Sequence, residues 1–177
     1  MPISVAGTSS KRPSSGFTLL ELVVVLVILA GVAALVAPRL VFLQDMALRN
    51  SSRRVVTLLR YLDERAVATK RYYRLKINLD EKRIAVVQLT PLGEEQQPDD
   101  PFLQRNPLSD GVGIIDVTTN RLGKTADGSV AIPYGPGGLG EPFLLHLGAI
   151  DKKQFTIQAL PVSATVRLAE GYQESFK

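Results

Sequence analysis

Residues 16–37 read GFTLLELVVVLVILAGVAALVA. From Phe17 to Ala37 the only ionisable side chain is Glu21, near the start of the run. At about 1.5 Å per residue a helix over 17–37 spans roughly 31 Å, the thickness of a bilayer's hydrocarbon core. The segment is therefore long enough to cross a membrane. A carboxylate alone in hydrocarbon is costly, so Glu21 requires a partner or a task.

The flanks narrow the choices. A cleaved secretory signal has a shorter apolar core followed by a small-x-small site. Ala33, Ala34 and Ala37 offer a weak version of such a site, but Pro38-Arg39 follows at once. Charge does not orient the segment, because Lys11 and Arg12 precede it while Arg39, Arg49, Arg53 and Arg54 follow it, offset by Asp45. If the helix continues, Pro38 removes a backbone hydrogen bond, which predicts a kink or a melted stretch around Ala34 to Pro38. Beyond it, Val55, Leu59, Leu62 and Ala66, with Leu58 beside them, keep a helical period, and Arg53, Arg60, Asp63 and Glu64 take other faces. This predicts an amphipathic continuation over 38–70 that packs one stripe on a globular domain.

The period then changes. RYYRLKINL and IAVVQL are short β-rich runs around the polar turn DEKR, which reads as a hairpin. The stretch 90–112, rich in proline and without a sustained period, reads as a long exposed loop. VGIIDVTT, SVAIP, PFLLHL, FTIQAL and SATVRL follow as further strands. A long helix against an antiparallel sheet is an α+β arrangement, with a β-rich domain over 71–177.

Composition excludes several functions. The chain has 177 residues and a formal charge of +4, with its basic residues scattered, which argues against nucleic-acid binding. Without cysteine there is neither a disulfide nor a thiolate metal site, and the single histidine, His146, leaves no multi-histidine centre. His146 alternates with leucines and reads as structural. Gly135 to Gly140, GPGGLG, satisfies a dinucleotide-type spacing, but FLLHL after it reads as strand where that site needs a helix, so a flexible loop is expected. Glu94, Glu95, Asp99 and Asp100 read as a solvated acidic loop and not a calcium site. Arg49, Arg53 and Arg54 fit an ordinary charged helix face. No catalytic residue, metal site or cofactor is expected.

Gly16-Phe17-Thr18-Leu19-Leu20-Glu21, with Lys11 and Arg12 upstream and an unbroken apolar run behind, closely resembles the amino-terminal signal of type IV pilins and type II secretion pseudopilins. The resemblance implies a leader over 1–16, cleavage between Gly16 and Phe17 by a prepilin peptidase, and N-methylation of Phe17. Glycine suits the scissile position because it has no side chain to obstruct a protease cleft. It also implies a task for Glu21, whose carboxylate would pair with the Phe17 amine of a neighbouring subunit and set the axial register. Family members commonly carry a proline where Pro38 stands. LLRYLDERAVATKRYYRLKINLDEKRIAVV, then VAIPYGPGGLGEPFLLHL and KQFTIQALPVSATVRLAEG, are similar to the H-type (GspH/FimT-like) minor pseudopilins, although Ser163-Ala164-Thr165 stands where that group has a turn glycine.

The pilin-like fold is thereby implied, a long amino-terminal helix with a transmembrane first half packed on an antiparallel β-sheet domain. So are a single-pass bacterial inner-membrane location with a periplasmic domain, a non-enzymatic role at or near a pseudopilus tip, and several partners. These are other major and minor pseudopilins, the prepilin peptidase, the inner-membrane assembly platform and inner-membrane lipid. A minor pilin of a type IV pilus is the alternative within the family. A membrane-anchored periplasmic enzyme or binding protein is the alternative outside it.

Overall fold

The computed structural model describes residues 18–148, 153–161 and 165–174, with 36–44 in backbone only. The chain divides into two compact units, Met1–Leu40 and Val41–Lys177. Helix α1 is Leu19–Thr69. It remains helical through Ala34 to Pro38, so the expected melted stretch is not found. A proline removes one helical donor and leaves the other backbone bonds of the turn available. The Pro38 side chain, and with it the expected kink, lies outside the described residues.

In the second unit the apolar period of α1 is a buried stripe. Val55, Leu59, Leu62 and Ala66 are fully buried, and Leu58 nearly so. The small polar residues Ser51 and Ser52 are buried on the same helix, where the Ser52 hydroxyl donates to the Leu48 carbonyl (2.9 Å). The helix stops at Lys70, whose φ of 56° breaks the helical ladder.

Among the described residues two five-stranded antiparallel sheets follow, where a single sheet was expected. Their strands are β1 (Tyr72–Asn78), β2 (Arg83–Leu89), β3 (Glu95–Gln96), β4 (Gly113–Thr119), β5 (Gly123–Thr125), β6 (Ser129–Gly135), β7 (Gly138–Leu139), β8 (Phe143–Gly148), β9 (Gln154–Leu160) and β10 (Thr165–Glu170). The first sheet has the order β3-β2-β1-β6-β7 and the second β10-β9-β8-β4-β5. The hairpin predicted around DEKR is present, with Asn78 opposite Arg83 and the Asn78 side chain accepting the Glu81 N–H (2.8 Å).

Alternation decides which residues face inward. Leu75 and Ile77 of β1, Val130 and Ile132 of β6, Phe143, Leu145 and Leu147 of β8, and Phe155, Ile157 and Ala159 of β9 join the α1 stripe in one hydrophobic core. The other face of β8 carries Leu144 and His146, which are equally buried. The second sheet is therefore covered on both sides along β8.

GPGGLG is not a flexible loop. Gly135 and Gly138 pair across a tight turn between β6 and β7, and the Leu139 N–H donates to Asp63 Oδ1 of α1 (2.7 Å). A Cβ on Gly138 would fall 2.6 Å from that oxygen, and its φ of +86° lies in the region that favours glycine. Strand β8 follows, with no helix to hold a pyrophosphate.

Candidate assembly site

Thr18 and Glu21 stand three residues apart at the first turn of α1. The Glu21 N–H donates to Thr18 Oγ1 (3.2 Å) and the Leu22 N–H to the Thr18 carbonyl (3.2 Å), so Thr18 is the N-cap. Thr-x-x-Glu is the spacing of a capping box, a signal of the helix start that is present in the sequence. The cap fixes where the helix begins and sets Glu21 in its first turn. A negative group there lies at the positive end of the helix dipole.

The Glu21 side chain is exposed and meets no cationic group among the described residues. Gly16 and Phe17, the expected processing residues, lie outside them. Every described side chain from Thr18 to Leu35 is exposed, including Leu19, Leu26 and Leu35. A helix apolar on all faces is stable in lipid or against other helices and not in water. Among the described residues no helix is long and apolar enough to cross a membrane. The expected span 17–37 has its first residue and its last two side chains outside them.

In the second unit most side chains of 90–112 are exposed, and the stretch is pinned at a few points. Leu103 and Leu108 are buried in the core, and the Ser109 N–H donates to Ser51 Oγ of α1 (3.0 Å). Phe102 packs edge-on against Tyr61, centroids 5.0 Å apart. Three of the four acids, Glu95, Asp99 and Asp100, have partners. Arg71 pairs with Asp99 (3.1 Å), Arg74 with Glu95 (2.7 Å), and Lys76 with Glu95 as well. Asp100 accepts from the Tyr61 hydroxyl and from the Phe102 N–H (2.9 Å). No group of three potential metal-ligating side chains occurs among the described residues. Of the helix arginines, Arg54 donates to the Ser109 hydroxyl, Arg49 lies 5.9 Å above the Phe155 ring, and Arg53 is exposed.

These contacts give the stretch an acid limit. The Tyr61 hydrogen bond, then the Phe102 N–H, hold Asp100 below its ordinary value, and the hydrogen bonds from Lys76 and Arg74 do the same for Glu95. A carboxylate depressed in the folded state contributes stability that is full above its unfolded value and is lost as pH falls through its folded one. Amide protection over 95–103 should therefore fall on acidification below the ordinary carboxylate range, before β8 loses its own. Loss of both together would show that the acids do not anchor this stretch.

Residues 11–37 match the pattern described as the prokaryotic N-terminal methylation motif. No curated protein matches the chain. Two solved structures of the minor pseudopilin EpsH from the type II secretion system of Vibrio cholerae share its fold at 22% identity. One aligns with a TM-score of 0.59 over 74% of this chain and 99% of that one. The other aligns with a TM-score of 0.55 over 70% and 97%. The chain therefore carries that motif at its amino terminus and shares the fold of EpsH over the aligned residues.

Proposed function

We propose that the chain is a minor pseudopilin of the H type, a structural subunit at or near the tip of a bacterial type II secretion pseudopilus. The observation that carries this reading is a methylation motif over 11–37 on a helix whose described side chains as far as Leu35 are all exposed, in a chain with an EpsH-like fold. Such a helix needs other helices or lipid around it, which is what a filament core and an inner membrane supply. The leader 1–16 is removed by the prepilin peptidase, the new Phe17 amine is methylated, and Glu21 pairs with the amine of a neighbour. The carboxyl-terminal domain stands in the periplasm and meets other pseudopilins, while the platform in the inner membrane drives assembly. The subunit does no covalent chemistry.

Intact mass and amino-terminal sequencing, with and without prepilin peptidase, test the class. The expected product begins at N-methylated Phe17 only when the peptidase is present. An unprocessed chain in both samples overturns the reading in favour of an uncleaved anchor. Copurification with secretion pseudopilins, and not with pilins, is the expected result that distinguishes the two filament systems.

A further inference from the structure

After β10 the chain turns at Gly171 (φ +88°) and returns across the second sheet as a short strap, 171–174. The Gly171 N–H donates to the Gln154 carbonyl (2.8 Å). Thr156 of β9 donates its hydroxyl to the Gly171 carbonyl (2.7 Å) and accepts the Gln173 N–H (3.0 Å). On β8, His146 completes the attachment. Its Nε2 lies 3.0 Å from the Gln173 carbonyl oxygen, and its Nδ1 lies 2.5 Å from Asp116 Oδ1 of β4. The Tyr172 ring stacks on the imidazole at 3.9 Å, and its hydroxyl donates to Asp116 Oδ2 (2.9 Å). Lys124 of β5 stands 3.6 Å from the same oxygen and 4.9 Å over the Tyr172 ring.

Hydrogen-bond roles fix the protons. A carbonyl only accepts, so Nε2 must carry hydrogen. Asp116 Oδ2 accepts the Tyr172 hydroxyl and forms an ion pair with the Lys124 ammonium, the contacts of a carboxylate. Burial, first, holds the Tyr172 hydroxyl above its ordinary value, and Lys124 is held above its own by Tyr172 and Asp116, so both keep their protons. An ionised carboxylate also only accepts, so Nδ1 must carry hydrogen as well. The ring and Asp116 are each about 1% exposed at the side chain. A charge so deeply placed is tolerated because its partner carries the opposite one.

We propose that His146 is a buried imidazolium that latches the carboxyl-terminal strap to the second sheet, and that loss of its ring proton releases the strap. Among the described residues the groups facing the ring are Asp116 from β4, Lys124 from β5, the uncharged Thr156 from β9, and Tyr172 with the Gln173 carbonyl from the strap. Deprotonation at Nε2 sets a nitrogen lone pair against a carbonyl lone pair and keeps the Nδ1–H bond to Asp116. The hold on the strap is thus present while the ring is protonated and is lost as pH rises.

His146 is the only histidine, so nitrogen-15 labelled histidine in the full chain, in detergent micelles, gives one imidazole to follow. At neutral pH both ring nitrogens should show the protonated shift. As the proton leaves on alkalinisation, the protection factor of the Gln173 amide, its exchange corrected for base catalysis, should fall by about tenfold or more, the loss of one charge-assisted hydrogen bond, while that of Ile157 of β9 is kept. A single neutral tautomer at neutral pH overturns the proposal. So does strap protection that persists after the ring proton is lost. Asp116→Asn should show a neutral ring and fast Gln173 exchange already at neutral pH, and the wild-type titration decides the matter if that variant does not fold.

Discussion

A Glu21→Ala chain is expected to reach the membrane in normal amount and to fail to join its neighbours. Insertion depends on the apolar run, which the substitution lengthens. In the proposed pairing, assembly depends on a carboxylate meeting the Phe17 amine of another subunit in a filament core of low dielectric. Removing one partner of a buried ion pair costs about 3–5 kcal/mol, because the other charge is left uncompensated. At about 1.4 kcal/mol per tenfold, co-assembly should weaken by roughly two to three and a half orders of magnitude. Copurification with a tagged pseudopilin from detergent extracts measures this, and undiminished recovery of Glu21→Ala would end the pairing proposal. The Glu21 N–H is also capped by the Thr18 hydroxyl, so Thr18→Ala is the necessary control. It loses the cap, worth about 1 kcal/mol, but keeps the carboxylate, and it should still assemble.

The α+β class, the burial of Val55, Leu59, Leu62 and Ala66, and the first hairpin were legible because each rests on a period within one segment. The division into two sheets was not. β6 pairs with β1 across a wide stretch of chain, and β8 inserts between β4 and β9, choices made by packing of inward faces that no single strand encodes. The two-residue strands β3 and β7 carry no period to read. Prolines in 90–112 were a fair sign of irregular backbone, and most side chains there are exposed, but no local period marks the points where Leu103, Leu108 and paired acids hold that backbone down. GPGGLG was similar. Its glycines permit a tight turn, and only the approach of Asp63 from α1 shows that the turn is locked. At the amino terminus Glu21 was legible as an anomaly in an apolar run, whereas its cap from Thr18 required attention to backbone donors. The Asp116, His146 and Tyr172 cluster joins three segments distant in sequence, and nothing local to any of them announces it.

Phe143→Ala should be among the most damaging single truncations in the second unit. Phe143 is fully buried at the start of β8, where its backbone pairs with Thr119 of β4 on one side and Ala159 of β9 on the other. Ala159 is a small neighbour and has no atoms with which to fill the space a lost ring would leave. β8 is also held by ladders on both edges, which limits how far the backbone can move inward to close the gap. Truncations of this kind cost about 3–5 kcal/mol, a large share of the roughly 5–15 kcal/mol that separates folded from unfolded domains. For a unit of this size that is a fall in Tm of roughly 10–20 °C. Thermal unfolding of the full chain in micelles, followed by near-ultraviolet circular dichroism, measures it against Leu92→Ala. Leu92 is 88% exposed, so its truncation should change stability by no more than about 0.5 kcal/mol. If the two variants unfold alike, the inward face of β8 is not the centre of the core, and the two sheets must be held together elsewhere.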